Sequence, residues 1–230
     1  ADLFLDFVVE NASTMIREGA SELDILNVAL AETKSKQARE LGSAFAKTKC
    51  GVTATVHTGP RAALPHGKPL HRKPNRGDVL IAGIGASVGG YHAESGATFV
   101  LGKASNDQMH CLKAAAACND AAIAALLPRI KCSEVNRIAL DALKTAGLEN
   151  YIRHRIGHGM GIQGHEAPWL APGDDTVLLP GMVFSNEPGI YRPEIDGYRT
   201  INTMIVTEST AEVPSVFQTK HSLESRVLEV

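Results

Sequence analysis

The chain has 230 residues, a formal net charge of −2 and 44% hydrophobic residues, which together describe a globular protein with enough length for a full core. So small a net charge gives no electrostatic reason to expect a nucleic acid or a membrane surface as a partner, and no apolar run is long enough to span a bilayer. The four cysteines lack paired spacing and the density of a disulfide scaffold, so we expect a reducing compartment, the cytoplasm.

Helical periodicity dominates residues 2–46. Apolar residues fall on one face from Leu3 to Val8, and Gly19 and Ser21 separate two amphipathic stretches. Ser21 is the predicted N-cap of the second stretch, because its side chain can accept a hydrogen bond from an unpaired backbone N–H. We therefore expect two helices before the first strand.

β-branched residues and glycines replace the helical pattern in two regions of the chain. Strands and hairpins are predicted over 50–56, 79–101, 152–166 and 182–208. Turns are predicted at Gly59-Pro60 and Gly89-Gly90, where glycine admits backbone angles that other residues avoid. Runs of strand therefore follow runs of helix.

Helix is predicted again over 107–127 and 133–146. Ser133 is the predicted N-cap of the second of these helices and Gly147 its C-cap. Because the helices come in pairs before each run of strands, the order favours an α+β fold over βαβ units.

The same order divides the chain into two similar halves, about 1–106 and 107–230. A weak internal echo supports this division, because Gly77-Asp78-Val79-Leu80 and Gly181-Met182-Val183-Phe184 both open a strand with Gly-x-Val and an apolar residue. We therefore expect two pseudo-symmetric halves.

The densest chemistry of the chain lies between His154 and Glu166. This glycine-rich segment also contains His158 and His165, and its small residues let a backbone and its imidazoles come close to a substrate or an ion. Such a segment offers little apolar surface to bury, so packing explains it poorly. We expect a functional site here.

Several short motifs share their order and spacing with one known family. They are Pro65-His66-Gly67-Lys68-Pro69, Gly77-Asp78, Gly90-Tyr91, Gly157-His158-Gly159-Met160-Gly161 with His165-Glu166, and Asn186-Glu187-Pro188-Gly189. In these motifs the chain resembles the pita-bread family of methionine aminopeptidases, aminopeptidase P, prolidase and creatinase, over nearly all of its length.

That resemblance implies a single α+β domain of the pita-bread fold, with a curved antiparallel sheet covered by helices around a central pocket. The chain begins at Ala1, without Met, inside a predicted helix. We therefore expect it to be the C-terminal catalytic domain of a longer protein.

Peptidases of the family hold two divalent metals with two Asp, one His and two Glu, and the resemblance places altered residues at three of these positions. Gly83 stands at the first Asp, Glu94 at the second Asp and Ile201 at the final Glu, whereas His158 and Glu187 match. Glycine and isoleucine offer no ligand atom. We therefore expect no two-metal centre.

Two interpretations of the pocket remain open. In the first no metal binds, as in the metal-lacking creatinase-like branch, and the two carboxylates then repel each other or favour a cationic substrate group such as a guanidinium, an amidinium or an ammonium. In the second Glu94, His158 and Glu187 hold a single Mn, Fe, Co or Zn ion with open positions for water.

The resemblance also assigns roles to five side chains. His66 matches the histidine that handles protons in creatinase, and His165 matches one that faces the substrate carbonyl in the peptidases. We predict His66, His165 and Glu187 as catalytic residues. Glu94 and His158 are the predicted substrate-binding residues.

The implied activity is that of a hydrolase of Xaa-Pro-peptidase-like or creatinase-like type, which cleaves an amide or amidine C–N bond of a small molecule or short peptide without metal. Creatinase-like chains carry a Glu-Arg pair where Gly96-Ala97 stands here, so creatine itself is not the expected substrate. The alternatives are a mononuclear metal-dependent aminopeptidase or dipeptidase and a silent module that binds a peptide or protein. Relatives often form dimers, which makes a homodimer a further expectation.

Overall fold

Two pairs of helices and one large, mainly antiparallel sheet make up the fold of residues 1–230 in the computed structural model. The helices are α1 (Asp2–Arg17), α2 (Glu22–Leu41), α3 (Asn106–Ala125), α4 (Cys132–Thr145) and the short α5 (Phe217–Lys220). The strands are β1 (Cys50–Thr58), β2 (Val79–Val88), β3 (Tyr91–Leu101), β4 (Gly157–Gly159), β5 (Glu166–Leu170), β6 (Val183–Asn186), β7 (Gly189–Arg192), β8 (Asp196–Arg199), β9 (Ile201–Val206), β10 (Ala211–Glu212) and β11 (Val227–Leu228). None of the helices combines the length and apolar character needed to cross a bilayer.

The sheet joins the two runs of strands in the order β1-β2-β3-β9-β6-β4-β5. The strand β10 pairs with β9, β11 lies parallel to β3, and β7 and β8 form a separate hairpin. The junction between the runs is the short antiparallel ladder of β3 and β9, where Gly96 faces Ile201. This architecture confirms the predicted α+β class.

Each pair of helices covers its own apolar core. Phe4 of α1, Ile25 of α2 and Phe99 of β3 are buried together in one cluster, whereas Leu143 of α4 and Phe184 of β6 belong to the other. Full burial of an aromatic or branched side chain stabilises the fold by about 1.5–3 kcal/mol. These two cores fix the helices against the sheet.

Helix starts were predicted correctly only in part. Ser21 does cap α2, since Asp24 N donates to Ser21 Oγ at 3.3 Å and Ser21 N donates to Asp24 Oδ2 at 2.8 Å. The prediction for Ser133 was wrong: the N-cap of α4 is Lys131, and Ser133 Oγ donates instead to Asp175 Oδ1 at 3.0 Å. A neighbouring carboxylate thus competes for the hydroxyl that a cap would need.

Two further boundaries differ from the sequence prediction. The C-cap of α4 is Ala146, and Gly147 follows it in the left-handed conformation with φ of 73°. Strand was predicted over 152–166, but only Gly157–Gly159 forms one before β5 begins. The ladder ends there because the register shifts between His158 and Gly159 and the backbone then turns, with Gly161 N donating to Gln163 O.

All four cysteine thiols are free. Burial raises the pKa of Cys111 and of Cys132 to about 11 and that of Cys118 to about 12. These three thiols therefore act as small apolar core groups rather than as nucleophiles.

A buried carboxylate ties the connection between β1 and β2 to α2. Glu22 Oε1 accepts from Thr58 N at 2.8 Å and Thr58 Oγ1 at 2.7 Å, while its Oε2 accepts from Leu70 N at 3.1 Å and Arg61 Nε at 3.3 Å. Because that connection carries His66, Glu22 positions a predicted site residue from a distance.

Replacing Glu22 by alanine should destabilise the protein strongly. The substitution leaves the two buried donors of Thr58 without an acceptor, so we expect the free energy of unfolding to fall by about 3 kcal/mol in urea denaturation. Glu32→Ala, on the exposed face of the same helix, is the matched control. Equal stability of the two variants would contradict this role of Glu22.

Candidate active site

The predicted site residues surround one cavity of about 210 Å³ at the middle of the sheet. Its walls come from β1, β2, β3, β8 and β9 and from the loops that precede or follow other strands. The lining residues are Thr53, Ala54, Thr55, His66, Gly83, Ile84, Gly85, Glu94, His165, Glu187, Arg199 and Ile201. His158 lies directly behind this wall, stacked on His165.

The strand register brings the imidazole of His158 to the carboxylate of Glu94. Ser185 of β6 faces both His158 of β4 and Thr203 of β9, and Thr203 Oγ1 accepts from Glu94 N at 2.8 Å. Ser185 Oγ then donates to Glu94 Oε2 at 2.6 Å. Gly157 permits this close packing, because a Cβ there would lie 2.0 Å from the Ser185 carbonyl oxygen.

His158 lies between the two predicted carboxylates. Its Nε2 is 3.2 Å from Glu187 Oε1 and 3.7 Å from Glu94 Oε2, and its Nδ1 is 3.0 Å from the Gly159 carbonyl oxygen. The ring is fully buried and stacks on His165, with the ring centroids 3.8 Å apart. The structure thus brings Glu94, His158, His165 and Glu187 together.

The pKa values of the three central groups respond to one another. Burial opposes a charge on His158, but the adjacent Glu187 carboxylate and the Gly159 carbonyl outweigh it and raise the pKa of this imidazole. Burial also opposes the charge of Glu187, yet His158 and Arg199 lower its pKa to about 2. Burial and the charge of His158 lower the pKa of His165. The arrangement favours an imidazolium–carboxylate pair beside a neutral imidazole.

His66 lines the same cavity from the connection between β1 and β2. It follows the short 3₁₀ helix Gly59–Ala63, and its side chain is exposed to solvent. An exposed imidazole at the cavity can exchange protons with bulk water.

Apolar groups occupy the space around positions 83 and 201, where the resemblance places the first Asp and the final Glu. Thr55, Gly83, Gly96 and Ile201 form one row across β1, β2, β3 and β9. The Ile201 Cδ1 atom lies 3.2 Å from where a Cβ on Gly83 would stand and 2.6 Å from where a Cβ on Gly96 would stand. The side chains present therefore do not fit a two-metal centre.

A single ion fits the donor atoms better. One ligand atom each from Glu94, His158 and His165 lie within 4.8 Å of one another, and a carboxylate with two imidazoles is a chemically suitable set for Zn or Mn. His158 Nε2 is buried without a well-aligned hydrogen bond. The ligand set expected from the sequence shares Glu94 and His158 with this group, but its third member was Glu187 instead of His165.

Two residues beside the site were not singled out from the sequence. Arg199 ends β8 and donates from Nη1 to the Pro65 carbonyl oxygen at 2.8 Å, which fixes the loop beside His66. Tyr191 of β7 is buried, with its hydroxyl 2.8 Å from His154 Nε2. Alternation could have found Arg199, since it stands two residues before the ligand position 201.

Residues 4–208 match the model of metallopeptidase family M24. The chain belongs to this family. The probable dipeptidase PepE of Mycobacterium tuberculosis (strain ATCC 25618 / H37Rv) is 40% identical over 157 residues, which are 68% of this chain and 42% of that protein. The Xaa-Pro dipeptidase of Pyrococcus furiosus is 34% identical over 157 residues, or 68% of this chain and 45% of its own length. The chain thus spans about half the length of the curated relatives it matches.

Solved structures confirm the predicted pita-bread fold. The dipeptidase PepE from Mycobacterium ulcerans superposes with a TM-score of 0.83 at 30% identity, covering 98% of this chain and 57% of that one. The prolidase from Pyrococcus furiosus gives a TM-score of 0.76 at 27% identity, over 92% of this chain and 61% of that one. The N-terminal domain of the FACT complex subunit SPT16 from chickpea gives 0.86 at 17% identity, over 98% of this chain and 56% of that one, a likeness of fold alone.

The packing of Ile201 on Gly96 can be tested by a double-mutant cycle. A Cβ at position 96 would overlap Ile201, so we expect Gly96→Ala to lower the free energy of unfolding by about 1–3 kcal/mol. In an Ile201→Ala background the same change should cost clearly less, because the overlapping atoms are gone. Additive effects in urea denaturation would show that Ile201 does not occupy this space.

Proposed function

We propose that this domain hydrolyses the amide C–N bond of a short peptide, with histidines and carboxylates as the reacting groups and without a metal. One observation carries this proposal: Glu94 and Glu187 each place an oxygen within 4 Å of His158 Nε2 beside an open cavity. The similarity to proteins named dipeptidase and Xaa-Pro dipeptidase supports a peptidase rather than another hydrolase.

His66 is the proposed proton carrier. As water attacks the carbonyl carbon, His66 accepts the proton that the water loses and returns it to the leaving nitrogen when the C–N bond breaks. Its exposed position on the cavity wall allows this exchange. Glu187, held ionised by His158, accepts a hydrogen bond from the attacking water and orients it.

His165 is the proposed stabiliser of the carbonyl oxygen as negative charge develops on it. A neutral imidazole has one N–H to donate, and the charge of His158 behind it favours that neutral form. Glu94 offers its carboxylate to the free amino group of the peptide. The imidazole of His158 lies between the carboxylates of Glu94 and Glu187, and its positive charge offsets part of their negative charge.

A mononuclear metal enzyme is the second candidate, and the grouping of Glu94, His158 and His165 favours it. These three residues would hold one Mn, Fe, Co or Zn ion. Such an ion would supply a Lewis acid and lower the pKa of bound water. In that case His165 would be a ligand, and only Glu187 and His66 would remain to handle the water and the proton.

Hydrolysis of a dipeptide panel, with and without chelator, tests the proposal. We expect the 230-residue chain to cleave dipeptides, Xaa-Pro sequences among them, equally fast after chelation. His66→Gln and Glu187→Gln should each reduce kcat by about 100-fold or more, because proton transfer and orientation of water are lost. His110→Gln, on the exposed face of α3, is the matched control and should retain activity.

Three results would count against the proposal. Activity that is lost on chelation and restored by Mn or Zn would replace the metal-free form with the mononuclear one. Full turnover in His66→Gln would remove the proposed proton carrier. Tight binding of peptides with no cleavage of any would indicate a silent binding module instead of an enzyme.

A further inference from the structure

His57 is a buried histidine on β1 that takes no part in the proposed reaction. The residue is 1% exposed and lies opposite Ile81 of β2, two residues along the strand from Thr55 of the cavity wall. Residues two apart on a strand point to the same face of the sheet, so the imidazole lies on the cavity face. Buried polar atoms are normally hydrogen-bonded, so the partners of this ring indicate what it does.

The contacts of His57 assign its tautomer. Its Nε2 is hydrogen-bonded to the Gly67 carbonyl oxygen and lies 2.8 Å from Thr55 Oγ1, whereas its buried Nδ1 has no partner. A carbonyl oxygen can only accept, so the hydrogen of the ring must be on Nε2. Burial lowers the pKa of His57, so the ring is neutral at neutral pH and has this single N–H to donate.

A glycine lets the loop reach this N–H. A Cβ on Gly67 would lie 3.2 Å from His57 Nε2 and 3.1 Å from Leu64 Cβ, closer than side chains ordinarily pack. With glycine at this position the backbone carbonyl approaches the imidazole without displacing either neighbour. The connection between β1 and β2 is therefore in contact with His57 directly after His66.

Two side chains of the sheet thus hold the backbone on either side of His66. Arg199 Nη1 donates to the Pro65 carbonyl oxygen at 2.8 Å, and His57 Nε2 donates to the Gly67 carbonyl oxygen. The imidazole of His66 is itself exposed, so its place at the cavity depends on this backbone. His57 does not line the cavity, so it acts on the site only through the groups that it contacts.

We propose that His57 is a positioning residue, whose Nε2–H holds the Gly67 carbonyl and so keeps His66 at the cavity. The inference rests on the proposed function in that His66 is taken to be the proton carrier. Such a group is sensitive to its position, since a misplacement of about 1 Å can cost on the order of 100-fold in rate. Loss of the His57 donor should therefore loosen the loop and slow the reaction.

Backbone order measured by NMR tests this contact without any turnover. In ¹⁵N relaxation of the whole chain we expect order parameters of about 0.85 for the His66 and Gly67 amides, the value of rigid backbone. His57→Leu should lower both below about 0.6, because no donor remains for the Gly67 carbonyl. His57→Gln should keep them high, since its amide N–H can reach the same oxygen. Leucine also removes the unpartnered Nδ1, so this variant should fold.

The protonation of the ring supplies a second measurement, on the unaltered chain. A long-range ¹H–¹⁵N spectrum, with His57→Gln to assign the signals, should show His57 protonated on Nε2 and not on Nδ1. Protonation on Nδ1 would overturn the inference, because Nε2 of the neutral ring could then not donate to Gly67.

Kinetics connect the contact to the proposed reaction. On a dipeptide substrate, His57→Leu should lower kcat by about tenfold or more and change KM by less than about twofold, because His66 handles a proton rather than binding the substrate. His57→Gln should recover most of kcat. His71→Leu, at an exposed histidine of the same connection, is the matched control and should retain activity.

The inference is overturned if His57→Leu leaves the His66 and Gly67 amides rigid, or if the leucine and glutamine variants behave alike. It is also overturned if the unaltered chain cleaves dipeptides and His57→Leu does so with the same kcat, a result that leaves the proposed hydrolysis standing. Loop order that depends on His57 in a chain that cleaves no dipeptide would retain the positioning contact and lose the enzymatic proposal.

Discussion

Two carboxylates and an imidazole share a buried space at the centre of the sheet, and their charge balance determines what the cavity can hold. Buried ions are stable only when they are paired, so Glu187 and Glu94 need His158 or a bound cation between them. Tight strand packing at Gly157 puts the imidazole there. His165 stacks on it and forms the wall of the cavity.

A small set of coupled residues alters the positions that the resemblance assigns to metal ligands. Ile201 covers the row of Gly83 and Gly96, so apolar packing replaces two ligand positions at once. In the proposed metal-free form, positive charge in the cavity comes from two protein groups, Arg199 and His158, which can bind anions and hydrogen-bond acceptors.

Much of this site could be predicted from the sequence, because its signals are local. Ser21 marks the start of a helix, and the motifs around His158 and Glu187 identify both residues through the resemblance to the family. In the structure His158 lies on β4, and Glu187 directly follows the neighbouring strand β6. The prediction of a strand over 152–166 was wrong for most of its length. The spacing of the glycines resembles strand alternation, but the backbone turns after β4. Strand alternation places Arg199 on the same face as position 201, but its contact with the Pro65 carbonyl joins distant parts of the chain and leaves no sign in the local pattern.

The number of divalent ions bound per chain tests the central claim most directly. Inductively coupled plasma mass spectrometry would be applied after saturation with Mn, Co or Zn and desalting, with Glu94→Gln as the comparison. The account predicts no stoichiometric ion in either protein, since Ile201 and Gly83 provide no ligand atom. One ion per chain, lost in that variant, would replace the metal-free form with the mononuclear one. Two ions per chain would contradict the account, because a second ion would then have to occupy the space that the Ile201 side chain fills beside Gly83 and Gly96.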